Sequence, residues 1–291
     1  MGLTKAWAKY FLSRINFVKR KETMKAQILP SDFQSFRLQV VQDVKGGVTM
    51  EDIPSQLIIN WDQTGLNYVP MSEWTMEKRG TKRVPITGIS NNRQITAVFG
   101  GTSSGNFLPM QLVYQGKTIK CLPPVTFPAE WDVTYSENHW SNEDMMKSYL
   151  RKIIVPNLED KREDLNLPSN YHCLVIIDNF KAQCTDSIFA MLTDNNIYYV
   201  FIPANCTDRL QPLDISVNKG AQSYLRNSFQ EWYASPIKSR FDSSEEIQPI
   251  NLAISIVKPF GAHWMINLYH YFKAHPEIIT NRFKEVGIHT E

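Results

Sequence analysis

No apolar run in the chain approaches the roughly 20 residues that cross a bilayer, and no apolar stretch with a cleavage site opens it. Neither a membrane span nor a secretory signal is expected. Charge of one sign is also lacking, since 31 Lys+Arg against 29 Asp+Glu leave a net +2. That balance excludes a uniformly basic, DNA-coating protein and confines any nucleic-acid contact to local patches. Cysteine is scarce: Cys121, Cys173, Cys184 and Cys206 form no CxxC pair and no paired histidines accompany them. A structural zinc site is not expected, and a reduced, intracellular protein is. His139, His172 and His263 lack metal-ligand spacing and read as structural. Internal repeats and low-complexity tracts are absent. What is present is apolar: 43% hydrophobic and 12% aromatic residues in 291, enough for one large core with or without an appendage.

The first 21 residues hold no acid but carry Lys5, Lys9, Arg14, Lys19, Arg20 and Lys21, while Leu3, Trp7, Phe11, Ile15 and Val18 recur at helical spacing. A basic amphipathic helix is predicted, packed with its basic face in water or serving as a mitochondrial presequence. Ala6 stands where a myristoylation signal at Gly2 needs Ser or Thr. Further on, Leu57 to Trp61 reads as a buried strand ending in Asp62. Between residues 83 and 114, Val84 to Ile89, Ile95 to Phe99 and Phe107 to Tyr114 predict two or three antiparallel strands, followed by an irregular, Pro-rich excursion over 117–140. A helix begins near Asn142-Glu143, carries Met145, Met146, Tyr149, Leu150 and Ile153 on one face, and should stop before Pro156. Leu174 to Ile177 forms a second buried strand, ending in Asp178, and Ser187 to Leu192 a helix. Ile197 to Ile202 is a third buried strand, stopped by Pro203, and Leu213, Val217, Ala221, Leu225 and Trp232 stripe one face of a long helix whose first turn holds Asp214. Antiparallel strands followed by alternating β and α units predict an α/β fold: a mixed sheet with flanking helices, and a helical C-terminal tail over 235–291 broken at Asp242 to Glu246.

Three acids delivered by strand ends and a helix start suit phosphodiester chemistry. Two Mg2+ ions about 4 Å apart activate water, neutralise the phosphate and stabilise the leaving oxygen. Mg2+ takes oxygen ligands, a few of them carboxylates, and short Asp side chains hold it close to rigid backbone. Singly, each Asp is more simply a turn former or a cap. Asp208 also lies near the third position, but after Asn205-Cys206-Thr207 it fits a turn or cap, whereas Asp214 follows Pro212 and adjoins the apolar stripe.

Four motifs resemble one family, the DDE domain of pogo-, Tigger- and jerky-type transposases, a mariner-related group that includes relatives of centromere protein B. Asn60-Trp61-Asp62-Gln63-Thr64-Gly65 is similar to its first acidic motif and Lys82-Arg83-Val84-Pro85-Ile86-Thr87 to the stretch that follows. Ile176-Ile177-Asp178-Asn179-Phe180-Lys181-Ala182-Gln183 resembles the second, although the family often has His where Gln183 stands. Pro203 to Asp214, ending Gln211-Pro212-Leu213-Asp214, resembles the third. The resemblance runs from about Ala6 to Tyr233. It implies an RNase H-like fold, nuclear residence, DNA as partner, and Mg2+ or Mn2+ held by the catalytic acids Asp62, Asp178 and Asp214. In the family a helix-turn-helix region precedes this domain, and Trp7 to Lys25 is similar only to its tail, so the DNA reader is expected to be truncated or lost.

The domain division that follows is residues 1–50 as a remnant of the DNA-binding region and linker, 51–234 as the catalytic domain, and 235–291 as the tail. Arg79, Lys82, Arg83, Lys181 and Arg209 lie close in sequence to the acids and are candidates for phosphate contact, with a solvated surface as the alternative. Trp131 and Trp140 could stack on a base or belong to the core. Three functions are weighed: a metal-dependent endonuclease and strand-transfer domain; a domesticated DNA- or chromatin-binding protein that keeps the acids without activity; and an interaction module presenting Trp264, Leu268 and Phe272 from the tail. A homodimer stays open.

Overall fold

A computed structural model describes residues 4–21, 32–69, 74–80, 94–137, 142–179, 184–243 and 250–288. One strand in from an edge of the main sheet stands β7 (Cys173–Asp178), whose Cys173 to Ile177 are all buried, as expected for a strand covered on both faces. It pairs in parallel with β2 (Ile58–Asn67) on one side and β8 (Ile197–Ile202) on the other. β2 continues antiparallel to β4 (Gln94–Thr102), and β4 antiparallel to β5 (Gln111–Gln115), which takes β6 (Asp132–Ser136) in parallel at the edge. The order β6-β5-β4-β2-β7-β8, an antiparallel meander joined through its first strand to parallel β-α units, is the RNase H-like arrangement with one strand added. A separate two-stranded antiparallel sheet joins β1 (Phe17–Lys21) to β3 (Trp74–Lys78).

Helices cover the sheet. α2 (Phe33–Glu51) buries Val40 and Val44 and meets β7 and β8, and α5 (Asp186–Asp194) lies on β8. α7 (Lys219–Asp242) starts against β2 and runs on through residue 235, while α8 (Ile254–Ala274) packs on α7 and α9 (Glu277–Val286) on β4. Trp264, Leu268 and Phe272 of α8 are buried, Phe272 with its ring 5.0 Å from Phe107. They form core and not a partner-facing stripe. Trp131 is core as well, edge-on to Tyr269 at 5.2 Å, and Trp140 lies outside the described residues.

Three sequence expectations change. The N-terminal helix α1 (Lys5–Arg14), capped by Thr4, ends sooner, because Asn16 takes a left-handed conformation (φ 58°) and turns the chain into β1, where Val18 lies. Trp7, Phe11 and Ile15 stay about half exposed, with Trp7 and Phe11 stacked at 5.6 Å. Pro156 does not stop its helix. α3 (Glu143–Tyr149) passes into α4 (Val155–Asp164) through a π-turn at Leu150–Ile154. Val155 N–H donates to Leu150 O five residues back, and the shifted register absorbs the N–H that Pro156 lacks. Finally, the excursion over 117–140 contains β6, which its five short, half-buried residues did not announce. The strand expected over Val84 to Ile89 lies outside the described residues.

Candidate active site

The parallel ladder between β2 and β7 matches Ile58 with Leu174, Ile59 with Val175 and Asn60 with Ile176. Asp62 and Asp178 each stand two residues further on, so the period of two turns both to the same face of adjacent strands. Asp178 ends its strand as expected; Asp62 does not. β2 continues to Asn67 because its pairing with β4 persists, Asp62 opposite Phe99, after that with β7 has stopped. Asp62 thus lies where β2 parts from β7, and it is the end of a ladder, not of a strand, that opens the site.

Asp214 arrives through contacts to β2. Asn60, fully buried, donates through Nδ2 to Ile176 O (2.8 Å) and accepts at Oδ1 from Leu213 N–H (3.0 Å). Buried Gln211 donates through Nε2 to Trp61 O at 3.0 Å. These bonds pin Gln211-Pro212-Leu213 across the strand that bears Asp62, and Asp214 opens the next turn, a π-turn at Asp214–Asn218 that leads into α7. π-turns inserted in helices recur at functional sites because the widened turn re-aims side chains. Asp208 has a different place. It lies in the first turn of α6 (Thr207–Leu210), whose cap position is Cys206 with no side-chain bond, and its carboxylate is 3.8 Å from Arg209 Nε. The cap expected of Asp208 is not made.

The three carboxylates influence one another. Asp62 is only 7% exposed, and its pKa is pushed up to about 8, first by burial and then by the charges of Asp214 and Asp178. Two donors work against this: Gln63 N–H to Oδ1 at 2.8 Å and Asn218 Nδ2 to Oδ2 at 2.5 Å. Asn218 also reaches Asp214 Oδ1 at 3.4 Å, and its own Oδ1 is buried without a donor. Among the described residues no group of three or more Asp, Glu, His or Cys is gathered closely enough to hold a metal ion. In chemistry, nevertheless, the three Asp fit a hard divalent cation: they offer carboxylate oxygens, and one of them is a buried acid whose neighbours call for positive charge.

Of the basic candidates, Arg79 is exposed in the turn after β3, where its backbone N–H donates to Asn16 O at 3.0 Å, and Arg209 is exposed beside Asp208. Lys82, Arg83 and Lys181 lie outside the described residues. His172 stacks on Tyr198 at 4.7 Å, with Glu51 3.8 Å away, and His263 is exposed on α8, whereas His139 is outside the described residues. The polar residues that sequence reading missed are Asn60, Gln211 and Asn218. The first two sit inside the recognised motifs, and a buried amide two residues before an acid was the signal available.

A family description, DDE superfamily endonuclease, matches residues 92–259, well over half of the chain and including Asp178 and Asp214. The human protein named pogo transposable element with KRAB domain is 24% identical over 227 residues, 78% of this chain and 36% of that protein. The human pogo transposable element with ZNF domain is 18% identical over 77% of this chain and 15% of its own length. A human Jerky protein homolog is 21% identical over 60% of this chain and 30% of its own length. This chain therefore spans about a third or less of these relatives. Among solved structures, a pre-cleavage Mos1 transpososome superposes with a TM-score of 0.48 at 11% identity, covering 94% of this chain and 71% of that one. The catalytic domain of Mos1 mariner transposase gives 0.42 at 11% identity, covering 87% and 98%. The RNase H-like assignment rests on strand order, and the family match spans the second and third acidic motifs: the chain belongs to the DDE superfamily endonuclease family.

Proposed function

We propose that the chain is a transposase-derived DNA endonuclease and strand-transfer domain in which Asp62, Asp178 and Asp214 hold two divalent ions, Mg2+ or Mn2+. One observation carries this reading: in a DDE-family chain, the pKa of Asp62 is pushed up to about 8, first by burial and then by the charges of Asp214 and Asp178. When bound, the ions supply an activated water and charge neutralisation at the phosphate. The protein's part is placement. Asn60 and Gln211 fix the third acidic segment to β2, and Gln63 N–H and Asn218 orient the Asp62 carboxylate. Arg79, Lys82, Arg83, Lys181 and Arg209 are proposed to contact phosphates, which gives binding that is weak, salt-dependent and without sequence preference. Residues 51–234 carry the chemistry in this reading, with 1–50 as DNA-binding-region and linker sequence whose α2 packs on β7 and β8 and 235–291 as helical cover, and the protein acts in the nucleus.

The test is a titration of the purified chain with Mg2+ and Mn2+ on a labelled DNA duplex, alongside a triple Asp62→Asn, Asp178→Asn, Asp214→Asn variant. Nicking or strand joining that needs the metal and disappears in the variant supports the reading. The domesticated alternative has its own supporting observation, the lack of a three-acid cluster among the described residues. Duplex binding that persists equally in the variant, with no cleavage at any Mn2+ concentration, favours it.

A further inference from the structure

Asn218 is buried, only 3% exposed, at the end of the π-turn that Asp214 begins. Its Nδ2 lies 2.5 Å from Asp62 Oδ2, a residue 156 positions away in the chain, and 3.4 Å from Asp214 Oδ1, so one amide group stands between the two acids. As placed, the amide donates through Nδ2 to both carboxyl groups. With Nδ2 towards the acids, Oδ1 is left buried and without a donor. An orphaned buried acceptor is costly, and a fold keeps such a group when something else compensates.

We propose that Asn218 is a positioning residue of the metal site. Its amide holds Asp62 and Asp214 together in the metal-free protein by supplying partial positive charge where a cation would lie. A cation held by Asp62 and Asp214 would find their carboxyl groups already brought together by this amide. This inference rests on the metal reading above, and its test separates the two.

The experiment is calorimetric titration of the full chain with Mn2+ alone, without DNA, for the natural sequence, Asn218→Ala and Asn218→Asp, with thermal unfolding of each in the presence and absence of Mn2+. Loss of the amide in Asn218→Ala should weaken Mn2+ binding about 10- to 100-fold, the range seen when groups that orient metal ligands are removed. Asn218→Asp keeps the shape but adds a carboxylate in contact with Asp62. It should bind Mn2+ more tightly than the natural chain, have a lower Tm without metal, and regain it with metal. A purely structural asparagine would lower Tm equally with and without Mn2+ and leave Kd alone. A Kd within twofold of the natural chain's in Asn218→Ala, or no tightening in Asn218→Asp, overturns the proposal. If Asn218→Ala does not fold, Asn218→Asp with Mn2+ decides. Absence of saturable Mn2+ binding by the natural chain would instead remove the metal reading, and this proposal with it.

Discussion

Two regions on one face of the sheet are built on opposite principles: Asp62 is paired with Phe99, whose ring packs on Phe107 at 5.9 Å. Where α8 covers the loop between β4 and β5, Phe107, Trp131, Tyr269 and Phe272 interlock with ring centres 5.0 to 5.8 Å apart, an aromatic core whose function is stability. Where the π-turn meets β2, the buried residues are Asn60, Asp62, Gln211 and Asn218, each needing a partner to offset its desolvation. The polar region sacrifices stability in a way the aromatic one does not. Such a local violation of packing logic is the mark of a functional site, and the rest of the fold must compensate for it.

Substitutions can break this comparison. The largest effect is expected from Asp214→Asn, which should abolish metal-dependent cleavage while leaving thermal stability unchanged or raised, since it removes a charge that raises the Asp62 pKa. A nicking assay beside a melting curve checks both; full activity in this variant together with loss in a folded Asp208→Asn would reverse the assignment of the third acid. In the aromatic region the trade is inverted. Phe272→Ala, at a fully buried ring, should cost about 3–5 kcal/mol in denaturant unfolding, and in the fraction that remains folded Mn2+ affinity should be unaltered.

The pH dependence sharpens the contrast further. An Asp whose pKa is about 8 folded and near 4 unfolded keeps a proton in the native state that the unfolded chain has released, so metal-free stability falls as pH rises through this interval. The slope is at most about 1.4 kcal/mol per pH unit. Below about pH 4 both states hold the proton and above about pH 8 neither does, so the dependence is confined between them. Urea unfolding from pH 5 to 8 should show this slope in the natural chain and lose it in Asp62→Asn. Saturating Mn2+ should also flatten it, because the ion takes the place of the proton. A flat profile in the metal-free natural chain would mean that Asp62 is not coupled to its neighbours. The smallest effect is expected at Asp208: with no cap bond and an exposed neighbour in Arg209, Asp208→Asn should change stability by less than about 0.5 kcal/mol and leave cleavage intact.

The amino-acid sequence by itself determined the strands around Asp62, Asp178 and Ile197 to Ile202, the helix stripe from Leu213 to Trp232, and the order of three acids among them. The strands are short continuous apolar runs and the helix an apolar stripe of period 3.6, local patterns that a linear reading detects. Tertiary structure alone decided that Asp62 lies inside its strand, because a strand's length depends on both neighbours and β4 extends further along β2 than β7 does. It also decided that the helix starting at Glu143 crosses Pro156, since a π-turn was available to absorb the missing donor. Above all it decided the polar frame of the site. Asn60 to Ile176, Gln211 to Trp61, Leu213 to Asn60 and Asn218 to Asp62 are single bonds between residues 116 to 156 positions apart. A contact made once, across that distance and by an amide that elsewhere would sit in water, leaves no periodic trace in sequence; only the folded chain brings its two ends together.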